Sequence, residues 1–95
     1  MMKEQICVGD VVVSTAGRDR GETLLVIKVQ DKYALAVDGR TRKVLSPKRK
    51  NIKHLKKVST AKLTSIADRI LNGEAVGNDR VYRAVKAEKE KIQED

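Results

Sequence analysis

Residues 23–39 read TLLVIKVQDKYALAVDG, and their pattern decides the fold class. Thr23 to Gln30 is rich in β-branched and aliphatic residues. It is expected as a strand with Leu25, Ile27 and Val29 inward, because Lys28 and Gln30 claim the opposite side. Asp31-Lys32 makes a turn. Tyr33, Leu35 and Val37 then fall at period two, which predicts a partner strand with these three on its core face. Asp38-Gly39 is a tight hairpin signal, since glycine tolerates the positive φ of a type I′ turn.

Working outward, Val8 to Thr15 predicts an earlier strand, with Val11 and Val13 on one face and Asp10, Val12 and Ser14 on the other. Gly17-Arg18-Asp19-Arg20-Gly21 separates it from the next strand as a charged loop framed by two glycines. Downstream, Lys43 to Ser46 is expected as a short fourth strand ended by Pro47. Ile52 to Lys57 is a weak fifth, because Ile52, Leu55 and Val58 are spaced by three and would also suit a turn of helix. Short strands with tight connections favour a small antiparallel barrel of the SH3-like kind, whose closure removes exposed edges.

The period then changes. Leu63, Ile66, Ala67, Ile70 and Leu71 form the apolar stripe of an amphipathic helix over 61–71, with Thr60 as its cap and Asn72-Gly73 as its stop. Asn78 can cap a second helix carrying Val81, Tyr82, Val85 and Ile92, its charged end from Lys86 onward expected to fray. The chain is thus read as mainly β with α: a barrel over 6–58, then a helical extension over 59–95.

Charge is the strongest functional signal. The 95 residues carry a net charge of +8, yet residues 1–39 and 63–95 each sum to −1. Residues 40–62 hold ten bases and no acid: Arg40, Arg42, Lys43, Lys48, Arg49, Lys50, Lys53, Lys56, Lys57 and Lys62. A solvated face normally mixes both signs, whereas an unbroken positive block is suited to a polyanion. A flexible basic tail would have little use for the apolar residues that interrupt this block.

Other classes find less support. No stretch approaches the ~20 apolar residues of a membrane span, and Met1 to Gln5 leads into polar sequence rather than a secretory leader. The single Cys7 reads as a small apolar residue at a strand start. His54, the only histidine, has no carboxylate near it in sequence to orient it for nucleophilic catalysis. Gly17 and Gly21 lack the Gly-Lys-Ser/Thr context of a phosphate-binding loop. The expectation is a non-enzymatic, cytoplasmic, monomeric protein that needs no cofactor or metal.

Tyr33 and Tyr82 are the only aromatic residues. One is assigned to the core and the other to a helix, so neither a base-stacking platform nor an aromatic methyl-lysine cage is expected. What remains is phosphate contact through Lys and Arg on a folded nucleic acid. The candidate contacts are Arg18, Arg20, Arg40, Arg42, Lys43, Lys48, Arg49, Lys50, Lys53, Lys56 and Lys57. About six such contacts would give a log–log salt slope near −5.

Val8-Gly9-Asp10-Val11-Val12-Val13, the Gly17 to Gly21 loop and the strand Leu25 to Val29 together resemble the KOW motif of ribosomal proteins and transcription elongation factors. Gly21 stands at its characteristic glycine, and Leu24 stands where many KOW sequences have another. With Val37-Asp38-Gly39 and the segment Pro47 to Leu55, the chain resembles the bacterial KOW-domain RNA-binding proteins related to the large-subunit ribosomal protein family "L-fourteen-e". The likeness spans residues 6–58. It implies an SH3-like barrel that binds RNA, in particular ribosomal RNA of the large subunit, on or near the ribosome and without catalysis. Its RNA-facing positions would be Arg18, Arg20, Lys48, Arg49, Lys50, Lys53 and His54. The alternative is a KOW-type adaptor for translation or transcription machinery, in which the apolar face of Leu63, Ile66 and Ile70 docks a partner protein.

Overall fold

A computed structural model describes residues 5–93, with backbone alone at 59–62, 92 and 93. Five antiparallel strands form one curled sheet: β1 (Asp10–Ser14), β2 (Thr23–Gln30), β3 (Tyr33–Val37), β4 (Lys48–Asn51) and β5 (Leu55–Lys62). The spatial order is β4-β3-β2-β1-β5, and a turn of 3-10 helix at Ile52–His54 leads into β5. This is a small SH3-like half-barrel. Two helices, α1 (Thr64–Leu71) and α2 (Asn78–Gln93), follow it and both pack on β2.

The sheet is buried on both sides. Inside the curl, Ile6, Val12, Leu24, Val26, Ala34, Ala36 and Leu55 form one cluster. Outside it, Leu25, Ile27 and Val37 meet Ala67 of α1, Val76, and Val81 and Val85 of α2. A continuous run such as Leu24 to Ile27 is what two-sided burial requires. An irregularity between Val26 and Lys28 then resets the alternation. Lys28 pairs with Leu35, and Val29 with Ala34. Leu25 and Ile27 therefore face the helices while Val29 packs against the inner cluster, so the expected common face of the three does not form. The alanines, not Tyr33, supply the inner face of β3: Ala34 and Ala36 are buried, and Tyr33 is 36% exposed.

The fourth strand is displaced from its expected position. Residues 43–46 form a turn because their backbone donors find other acceptors. Ser46 N–H donates to the Lys43 carbonyl, and Val44 N–H donates to Asn78 Oδ1 at 2.7 Å. Just upstream, Asp38 Oδ1 accepts from the N–H groups of Arg40 and Arg42, making a wider loop than a two-residue hairpin. Pairing with β3 begins only after Pro47, where a missing N–H does no harm. The strand that forms, Lys48–Asn51, is an edge, where charged side chains protect against pairing with other chains.

Downstream, β5 runs past residue 58 to Lys62, opposite Asp10, and Leu63 N–H donates to the Gly9 carbonyl at 2.7 Å. That pairing places Thr60 in the strand, so α1 begins at Thr64 without a side-chain cap. Leu63, Ile66 and Ile70 pack on the outer cluster as the stripe requires, but Leu71 at the helix end is 45% exposed. Asn78 serves the 38–47 loop through its Oδ1. The second helix continues through Gln93, and the side chain of Ile92 lies outside those described.

Two glycines mark where the helices touch the barrel. A Cβ on Gly9 would lie 2.8 Å from the Thr64 Cα, and one on Gly39 would lie 2.6 Å from the Tyr82 nitrogen and collide with the Asn78 carbonyl. Gly39→Ala is therefore expected to lower stability by about 1–3 kcal/mol through overpacking, beyond the strain of its positive φ. Gly21→Ala, at a similar φ in open space, should show the backbone cost alone. Urea unfolding of the two variants measures the difference, and equal losses would contradict the close approach of α2.

Candidate nucleic-acid interface

The charged loop between β1 and β2 is built around its acid. Asp19 points inward and is 3% exposed. Its Oδ1 accepts from Ser14 Oγ at 3.0 Å and from Lys50 Nζ at 2.9 Å. Lys50 Nζ also donates to the Ala16 carbonyl at 2.9 Å. The loop is closed by local backbone bonds, with Arg20 N–H donating to Gly17 and Gly21 N–H to Ser14. Burial pushes the Asp19 carboxyl pKa up, but the hydrogen bonds from Lys50 and Ser14 and the Lys50 charge outweigh it, holding it below 3.8.

Turning Asp19 inward leaves Arg18 and Arg20 exposed on either side. The Lys50 contact ties this loop to β4, and Thr15 N–H donates to the His54 carbonyl at 2.9 Å. The arginine loop is thereby seated beside the 3-10 turn, where Lys53 and His54 are exposed. A second acid is withdrawn in the same way. Asp10, 1% exposed, accepts from Cys7 N–H at 2.7 Å and pairs with Lys57 at 3.4 Å.

The sequence-derived candidates therefore separate. Arg18 and Arg20 lie on the loop that the Thr15 bond ties to His54 of the 3-10 turn, and Lys53 of that turn lines a shallow site with Asp31, Lys32 and Asn51. Exposed Lys56 follows on β5, opposite Val13. Arg40, Arg42 and Lys43 lie apart on the 38–47 loop. The Arg40 guanidinium sits 4.1 Å from the centre of the Tyr82 ring in α2. Arg42 is half-buried, and its Nε has no hydrogen-bond partner among the described residues. Arg49 is on the outer face of β4, and Lys48 is half-buried on the side of Lys50.

Two candidates have internal roles. Lys50 is 7% exposed with its charge committed to Asp19, so its ammonium is part of the barrel rather than of the surface; Lys57 is half-buried against Asp10. The alternation of β4 could have separated Lys50 from Arg49, but its acidic partner stands 31 residues away. Among the exposed bases outside the sequence-derived candidates is Lys28, which the shifted register places in a row with Leu35 and Arg49. Among the described residues, Arg18, Arg20, Lys28, Arg49, Lys53 and Lys56 form no salt bridge.

In comparison with known proteins, the chain matches no family model and no curated protein.

Lys50→Met leaves a buried carboxylate without its cation and is expected to cost about 3–5 kcal/mol, with Asp19→Leu in the same chain restoring part of the loss. In the wild type, the Asp19 contribution is complete above its unfolded pKa near 3.8 and is lost as pH falls through the lower folded value. Urea midpoints recorded from neutral to acid pH should fall less steeply in Asp19→Asn than in wild type. Parallel curves would exclude Asp19 as a source of acid sensitivity.

Proposed function

We propose that the protein binds structured RNA without catalysing a reaction on it, through phosphate contacts centred on Arg18, Arg20, Lys53 and His54, with Lys56 alongside. The observation that carries this reading is the inward turn of Asp10 and Asp19. It withdraws Asp19, the acid of the arginine loop, and Asp10 of β1 from the surface, while Arg18, Arg20, Lys53 and Lys56 stay exposed with no salt bridge among the described residues. Such a surface attracts polyanions with little sequence preference. The resemblance to KOW-domain RNA-binding proteins supports RNA over DNA, and ribosomal RNA of the large subunit as the target. The adaptor reading draws less support, because Leu63, Ile66 and Ile70, its docking face, already pack against the sheet.

The test uses Arg18→Ala, Lys53→Ala and Arg20→Ala combined, which leaves Lys50 and the fold intact. RNA affinity should fall across sequences, and the log–log salt slope should flatten by about 2 to 3. Lys86→Ala with Lys89→Ala on α2 should leave both unchanged. Unaltered affinity and slope in the triple variant would overturn the assignment. Sedimentation of lysate on sucrose gradients addresses the target: co-migration with the large ribosomal subunit, released as salt rises, is expected. Migration at the top of the gradient at both low and high salt would count against a ribosomal partner.

A further inference from the structure

The outer face of the sheet is only partly covered by the helices, and its uncovered end has an ordered array of side chains. Strand register sets two rows across β2, β3 and β4: Lys28, Leu35 and Arg49 in one, and Gln30, Tyr33 and Asn51 in the next. Neighbours within a row are about 4.8 Å apart and the rows about 7 Å apart, dimensions that suit a nucleotide. Tyr33 is exposed at the centre of its row, and the Arg49 guanidinium lies 3.9 Å from its ring centre. An open groove of about 380 Å³ is lined by Tyr33, Arg49, Lys28, Gln30 and Leu35.

We propose that this face binds one unpaired RNA nucleobase, stacked on the Tyr33–Arg49 pair, with the adjoining phosphate on Lys28. The proposal rests on the RNA-binding reading above and adds a second mode of contact to it. A tyrosine ring carrying a guanidinium presents flat, polarisable surface to any base, and a guanidinium plane can itself be stacked upon. The amide groups of Gln30 and Asn51 flank the ring and can meet base edges. Asn51 Oδ1 already accepts from Lys53 N–H at 3.1 Å, so this side chain offers its NH2 group as donor. Asp31 also lines the groove, at the hairpin tip with φ of 55°. Lys32 and Lys53 line a neighbouring site with it, so basic side chains stand on both sides of Asp31. The bases of a continuous duplex are stacked on one another and cannot reach Tyr33, so the site distinguishes loops, bulges and single strands from uninterrupted helix.

The chain contains two tyrosines and no tryptophan, which makes the site directly readable. In Tyr82→Phe, tyrosine emission reports on Tyr33 alone. Oligoadenylate is expected to quench it, and a blunt RNA duplex is not. Tyr33→Leu should weaken oligoadenylate binding by roughly 5- to 100-fold while duplex binding is retained. Tyr33→Phe should keep wild-type affinity, and circular dichroism checks that each variant is folded. Absence of quenching by oligoadenylate, or Tyr33→Leu binding it as wild type does, would overturn the stacking site. If duplex binding persists in that case, the phosphate-binding reading stands without it. Binding of neither nucleic acid would remove both.

Discussion

The bond between Lys50 and Asp19 couples the fold of the barrel to its surface. It joins the loop after β1 to an edge strand 31 residues later, and it does so inside the curl of the sheet. Once Asp19 is drawn inward, its neighbours in sequence have to point away from it, and both are arginines. A buried ion pair is weak evidence for stability, because desolvation opposes the Coulomb gain. Its consequence here is geometric: it fixes which residues of an alternating-charge loop meet solvent. The Asp10–Lys57 contact, on the same inner side of β1, repeats the arrangement with a half-exposed lysine.

Much of the barrel can be read from period-two patterns and turn residues, and the departures have two physical causes. A sheet covered on both faces buries both sets of alternate residues, so alternation no longer says which set faces which layer. The phase of Tyr33 with Leu35 and Val37 points it inward, yet the tight interior beside Val12, Leu24 and Val26 takes Ala34 and Ala36. The fourth strand forms after Pro47 rather than over Lys43 to Ser46, where Val44 is held in a turn. Its N–H is bonded to Asn78, a residue 34 positions on, and no local pattern records that.

The basic block is legible in the sequence as a concentration of charge but not as a surface. In sequence it is continuous; in the fold its members reach four different places, and two of them neutralise internal carboxylates. Charge counting treats Lys48, Arg49 and Lys50 as equivalent. Strand alternation makes them unlike, since Arg49 stacks on Tyr33 while Lys50 holds Asp19. A substitution of all three at once would mix loss of stability with loss of binding.

The helices determine which part of the sheet remains available. Gly9 and Gly39 allow α1 and α2 to approach closely, and the cover they form extends over Leu25, Ile27 and Val37. At Lys28 the strand leaves that cover, and the register shift turns it outward next to Leu35. Ile27 faces the helices by ordinary alternation with Leu25, and the irregularity brings Lys28 to the same side, on the open face beside Tyr33 and Arg49. Without it, the simple alternation of β2 would continue through Val29, placing an apolar side chain where a cation now stands. The exposed platform is thus a consequence of how the outer core ends, and a sequence reading that extends strict alternation through β2 cannot find it.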